Sequence, residues 1–286
     1  MTCQGQDCCL FLREITAGVA QLLPLRDTIR SRSFPYVNTV VIVLCVYVFF
    51  LQVQDTAGVF TQQWSLIPAR ITQPAEELVV RHAIPERTPF GIQQRIVEAR
   101  IPDTAIPPLL TIFSSTFLHG SFLHLLGNMW FLYIFGDNVE DRLGHGRYAG
   151  FYLAAGGAAG VCHLVTDLAA VIPTIGASGA VAGVMGAYMK LFPRATVVTL
   201  IPIWIIPHIV ELPASLFLGI WFLFQVWNGS GAIAGGMGSG IAWWAHIGGF
   251  IFGWVFVSAF RRIKSESASV RVIRRPTVSH SQYRRW

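Results

Sequence analysis

The sequence predicts an all-α polytopic membrane protein with six transmembrane helices, and three observations lead there. Of 286 residues, 53% are hydrophobic and 13% charged, with a mean hydropathy of +0.53, far to the apolar side of a soluble domain. Apolar runs near the ~17–25 residues that a span requires recur at 37–54, 119–136, 148–168, 177–192, 211–228 and 241–260. Sixteen of the 21 Lys and Arg flank those runs on one and the same side, the asymmetry that fixes orientation.

Residues 1–36 come first. Their opening, "MTCQGQDCCLFLREITAGVAQLLPL", lacks the order of a signal peptide, because Arg13 and Glu14 interrupt its apolar stretch. A cytoplasmic N-terminal segment is expected, with Arg26, Arg30 and Arg32 beside the first span. The membrane domain then covers 37–260, with an outer loop, 55–118, inserted between the first two spans. In that loop "PAEELVVRHAI" and "FGIQQRIVEARI" have helix-like spacing, which predicts short amphipathic helices on the outer surface. Arg142 and Arg147 separate the second and third spans; Lys190 and Arg194 separate the fourth and fifth. "LIPIWIIPHIVELP" is too broken by proline for a span, so the fifth is expected to begin at Glu211 and Pro213, an acid near the positive end of a helix. Between the fifth and sixth spans lies "GSGAIAGGMGSG" (229–240), uncharged and rich in glycine, and expected to act as an outer lid over a buried site. Residues 261–286 form a basic, Ser-rich cytoplasmic tail that is expected to be disordered. Both termini are thus expected on the cytoplasmic side. The net charge of +6 reads as topology, and no nucleic acid is expected as a partner. Five cysteines, without metal-ligand spacing, carry no assigned function.

The chemistry gathers at "GASGAVAG", residues 176–183. A helix from Ser178 to Phe192, stopped by Pro193, spans only ~22 Å, against a hydrocarbon core of ~30 Å. With its inner end at the interface, Ser178 lies below the outer surface, where irregular backbone requires protein or a water-filled cavity around it. The second, fourth and sixth spans all run inward, so depth can be compared. His246 lies ~7–8 Å into the sixth, His124 at a similar depth in the second, and Asn128 one turn lower on the same face. Gly179 and Gly183, with Ala242, Gly249 and Gly253 on the face of His246, allow close approach of the fourth and sixth helices. An imidazole can then activate the serine, while His124, Asn128 and the Ser178 N–H are candidates to stabilise an oxyanion. From Ser178 to Phe260 the only acid is Glu211, expected at the opposite interface, so a Ser178–His246 dyad is the economical assignment.

"GASG" around Ser178, "AHIGG" around His246, "HLLGN" from His124 to Asn128 and "GDNVEDRLG" at the end of the second span together resemble the rhomboid family of intramembrane serine proteases. The resemblance covers roughly 36–260. It implies a six-helix bundle whose short fourth helix starts at the catalytic serine, with Ser178 and His246 as dyad and His124 and Asn128 in the oxyanion hole. It also implies transmembrane proteins as substrates, the lipid bilayer as surroundings, no cofactor and no metal. A bacterial inner membrane is the expected location, with the active site opening to the outer side. Two alternatives differ in class. A catalytically silent, client-binding relative would typically lose the serine or histidine, and both are present. A transporter would call for matching interrupted helices in two related halves, and the sequence has no such repeat.

Overall fold

A computed structural model describes residues 22–75, 77–88, 91–203, 206–235 and 242–259. Strand β1 (Leu23–Asp27) precedes helix α1 (Tyr36–Gln54). Two short helices, α2 (Val59–Trp64) and α3 (Pro68–Thr72), lead into a hairpin of β2 (Val79–Thr88) and β3 (Gly91–Arg100). Short helical turns follow, with α4 (Thr111–Ser114) between 3-10 turns at Pro108–Leu110 and Ser115–Phe117. Then come α5 (Phe122–Leu143), α6 (His145–Leu164), α7 (Ser178–Leu191), a second hairpin of β4 (Thr196–Ile203) and β5 (Ile206–Pro213), α8 (Ala214–Gly235) and α9 (Trp243–Ala259).

The protein is predominantly helical, and α1, α5, α6, α7, α8 and α9 coincide in position with the six expected spans. Length and hydropathy do not give six. Among the described residues α1 alone is long and apolar enough to cross a membrane unaided; the Pro108–Phe117 turns and α5, bent by 81°, add a second if taken as one span. The reasons are local. Helix α7 has 14 residues and α9 has 17, while α5 carries Asp137, Glu140, Asp141 and Arg142.

The all-α expectation needs correction, since the described residues include two antiparallel sheets, ordered β1-β4-β5 and β2-β3. The amphipathic helices expected in 55–118 are instead β2 and β3, paired from Val79–Arg100 to Thr88–Gly91. Pro85 has no N–H to give to a helix and would clash there, and Val79, Val80, Ile84, Ile92, Ile96 and Val97 favour a pleated strand. Gly91 supplies a φ of +119° where the hairpin turns. Similar reasons overturn the start of the fifth span. Pro202, Pro207 and Pro213 punctuate a β-branched run, Glu211 pairs with Val198 inside the hairpin, and α8 starts only after Pro213. The expected N-terminal segment is likewise anchored in part, since β1 pairs with β4. The expected lid is helical from 229 to 235, within α8. Its remainder, residues 1–21 and the basic tail lie outside the described residues.

Helix α7 is the centre of the molecule. Every residue from Gly179 to Tyr188 is buried, as suits a helix that is apolar all round. It touches α9 almost backbone to backbone: a Cβ on Gly249 would collide with the Gly179 carbonyl, one on Gly253 with the Gly183 carbonyl, and one on Gly186 with the Phe250 carbonyl. Helix α1 lies at the periphery, with Val40, Val43, Val46, Tyr47 and Phe50 exposed. It is tied to α5 by the fully buried Glu140, whose carboxylate accepts from the N–H groups of Val37 (2.9 Å) and Asn38 (2.7 Å). Those donors belong to the first turn of α1, which no side chain of its own caps.

Candidate active site

Ser178 is the first residue of α7. Gly176, two residues earlier, adopts a φ of +131°, a conformation that strains any side chain, and a Cβ there would lie 2.8 Å from the His124 ring and 3.6 Å from Ser178 Oγ. Glycine thus lets ring and hydroxyl flank one point. The Gly176 N–H donates to the Ser115 carbonyl at 2.9 Å, which anchors the loop to the turn ahead of α5. Among the described residues no side chain caps the start of α7, so the first-turn N–H groups remain donors beside the serine.

Close approach of α7 and α9 through Gly179, Gly249, Gly183 and Gly253 carries His246 to the serine. Its Nε2 lies 2.8 Å from Ser178 Oγ, within hydrogen-bond distance. On the other side its Nδ1 lies 2.8 Å from Gln225 Oε1, on α8. The ring sits between Trp221, 6.0 Å away and tilted 36°, and Trp243, 6.1 Å away and nearly perpendicular.

His124 stands in the first turn of α5. Ser121 caps that helix by accepting from the His124 N–H at 3.2 Å. The Gly120 N–H donates to His124 Nδ1 at 3.4 Å. That nitrogen therefore holds a lone pair, and the hydrogen of the neutral ring is on Nε2, the atom turned towards Gly176 and Ser178. One turn along, Asn128 is buried, and among the described residues its Nδ2 has no hydrogen-bond partner, a costly arrangement for a donor with no ligand to serve. The structure therefore brings Ser178, His246 and His124 to one point and leaves Asn128 a turn away with a free donor.

Three further polar residues stand near this site, to which the sequence alone assigns no role. Gln225 is no acid and so does not stand out as a third member of the dyad, although a lone amide in "LFLGIWFLFQVW" is a signal in itself. His119 is buried edge-to-face against His124 at 5.3 Å, both ring nitrogens without partners among the described residues. His163, at the end of α6, meets Thr174 Oγ1 at 2.8 Å. The arrangement is a hydroxyl, a base aligned on it and a cluster of N–H donors, the equipment of acyl transfer. Among the described residues no group of three or more His, Cys, Asp or Glu is set to hold a metal ion.

A family model described as a rhomboid domain matches residues 108–263, which include all four candidate residues. Over 162 residues the chain is 32% identical to Rhomboid protein 1, mitochondrial, of Saccharomyces cerevisiae, covering 54% of this chain and 43% of that protein. It is 34% identical over 79 residues to RHOMBOID-like protein 5 of Arabidopsis thaliana, covering 28% and 26%. It is 30% identical over 150 residues to Presenilin-associated rhomboid-like protein, mitochondrial, of Mus musculus, covering 49% and 35%. The chain spans less than half the length of each of these relatives. Their names correct one expectation: two of the three are mitochondrial, which points away from a bacterial inner membrane with cytoplasmic termini.

Proposed function

The chain belongs to the rhomboid family, and from that premise we propose an intramembrane serine endopeptidase that hydrolyses peptide bonds in or next to transmembrane segments of membrane proteins. The observation that carries this reading is the 2.8 Å contact between Ser178 Oγ and His246 Nε2. His246 takes the Ser178 proton as Oγ attacks the scissile carbonyl carbon. The oxygen that gains charge is met by His124 Nε2–H, the Ser178 N–H and Asn128 Nδ2. His246 then hands the proton to the departing amide nitrogen, the C–N bond breaks, and an acyl-enzyme remains. Water, deprotonated by the same imidazole, releases the second product and restores the serine.

In this reading residues 37–260 form a six-span protease domain around an inserted outer segment, 55–118, with 1–36 and 261–286 outside it on the basic side. Substrates are transmembrane proteins reached within the lipid bilayer, nucleic acid plays no part, and the steps use no cofactor. The names of the relatives support a mitochondrial membrane as the compartment. The deciding experiment is to treat the purified protein in detergent with a fluorophosphonate probe and locate the adduct by mass spectrometry. Labelling of Ser178, lost in His246→Ala, supports the reading. An unlabelled, folded protein would leave a client-binding role in its place.

A further inference from the structure

Helix α8 is apolar from Leu216 to Trp227 apart from one amide, Gln225, which is 3% exposed. Burying an amide without partners is costly, and this one has a partner at each end. Its Nε2 donates to the carbonyl of Trp221, one turn back along α8, at 3.3 Å. Its Oε1 faces His246 Nδ1 at 2.8 Å. The two contacts are linked. With the NH2 group engaged by its own helix, the carbonyl oxygen is the end presented to α9, and a carbonyl oxygen only accepts.

A fixed acceptor at Nδ1 decides where the imidazole carries its hydrogen. The neutral ring has one N–H, and Gln225 draws it to Nδ1, which leaves a bare lone pair on Nε2. Nε2 is the nitrogen 2.8 Å from Ser178 Oγ. The opposite tautomer would point an N–H at the serine and could not receive its proton. Once His246 is charged, Nδ1–H still has its acceptor, and a hydrogen bond from a charged donor is the stronger kind. A carboxylate in this position would have to shed its water as a charge; an amide supplies the same acceptor without one.

We propose that Gln225 is a positioning residue that selects the base-competent tautomer of His246 and holds its ring in line with Ser178. This rests on the serine-protease reading above, and the test separates the two.

The full chain, labelled with 15N-histidine and held in detergent micelles, is examined by NMR, with His246→Ala used to assign the His246 signals. At a pH where the ring is neutral, the spectrum should show the hydrogen on Nδ1 and a bare Nε2. A hydrogen on Nε2 overturns the proposal whatever any variant does. In parallel, Gln225→Met keeps the length of the side chain and removes the acceptor, while Gln225→Glu keeps an acceptor. The Met variant should lose about 10- to 100-fold in kcat on a reporter transmembrane substrate, with KM within about twofold, a matching fall in the fluorophosphonate labelling rate of Ser178, and mixed His246 tautomers. The Glu variant should recover most of the loss. A folded Met variant with wild-type kcat and labelling rate sinks the proposal. Failure of the wild-type protein to label at Ser178 would sink the protease reading, while the NMR tautomer still decides what Gln225 does.

Discussion

Tyr188 donates its phenolic hydrogen to Asp27 across 2.5 Å, joining the last turns of α7 to strand β1. Asn138 Nδ2 donates to the same oxygen at 2.9 Å. Burial pushes the Asp27 carboxyl up from its ordinary 3.8 to about 7; the Tyr188 hydrogen bond opposes that rise, and the nearby Asp137 carboxylate adds to it. An acid raised in this way holds its proton more tightly folded than unfolded. Its stabilising contribution is complete below about pH 4 and is lost as the pH climbs to about 7. Thermal unfolding in detergent should therefore show Tm falling between pH 4 and 7, and Asp27→Asn should flatten that part of the curve. An identical slope in both proteins would remove Asp27 as its source.

Ser178→Ala and His246→Ala should each abolish cleavage of a reporter transmembrane substrate in proteoliposomes, while expression and Tm stay near wild type. Both side chains are half-buried, and neither substitution introduces bulk or charge. A chelator should leave the wild-type rate unchanged, because proton transfer between serine and histidine requires no metal. Turnover by purified Ser178→Ala at the wild-type rate would refute the assignment.

Replacing His124 or Asn128 by Ala should lower kcat by about 10- to 1000-fold, the scale for losing one oxyanion donor, with smaller changes in KM. His124 should be the more costly loss, since its Nε2–H already flanks the serine whereas Asn128 stands a turn further along α5. Steady-state kinetics of the two single variants and the double variant test this. Unchanged kcat in all three would return both residues to a structural role.

Two glycine substitutions should behave oppositely. Gly253→Ala drives a methyl into the Gly183 carbonyl, an overpacking error of about 1–3 kcal/mol or more, and it should lower both Tm and kcat. Gly127→Ala on α5 meets nothing within 4 Å and should raise Tm slightly, because alanine favours a helix by about 1 kcal/mol over glycine. Equal effects at both positions would argue against backbone contact between α7 and α9.

The positions of the main helices, and the meeting of Ser178 with His246 and His124, follow from periodicity. Pro193 sets the length of α7, glycines four residues apart mark the contact face, and counting residues from the helix starts puts His124 and His246 level with Ser178. The strands were harder to see. In "VVRHAIPERT" the apolar spacing suits helix or strand alike, and the decision falls to Pro85 and to a partner strand, which a local window does not contain. The same holds for β1, whose partner β4 lies some 170 residues away. Gln225 illustrates a different limit: its role depends on facing His246 from another helix, and on the neutrality of an amide that a search for carboxylates passes over. Glu140 is a further case, since the first turn of α1, which it caps, begins over 100 residues earlier in the chain.

Where the glycines of α7 and α9 meet, no side chain stands between the helices to serve as a shim. In most bundles a changed core residue is absorbed by its neighbours, and the gap between two helices widens or narrows by degrees. Here peptide groups meet peptide groups at Gly179, Gly183, Gly249 and Gly253, and a peptide group has one thickness. The seam should therefore be either closed or open at those points, with no side chain to take up an intermediate spacing. Damage elsewhere in the bundle should change how many molecules have it closed and leave the closed ones with the wild-type spacing between Ser178 and His246. Active-site titration of weakened variants would then count fewer sites, each turning over at the original rate.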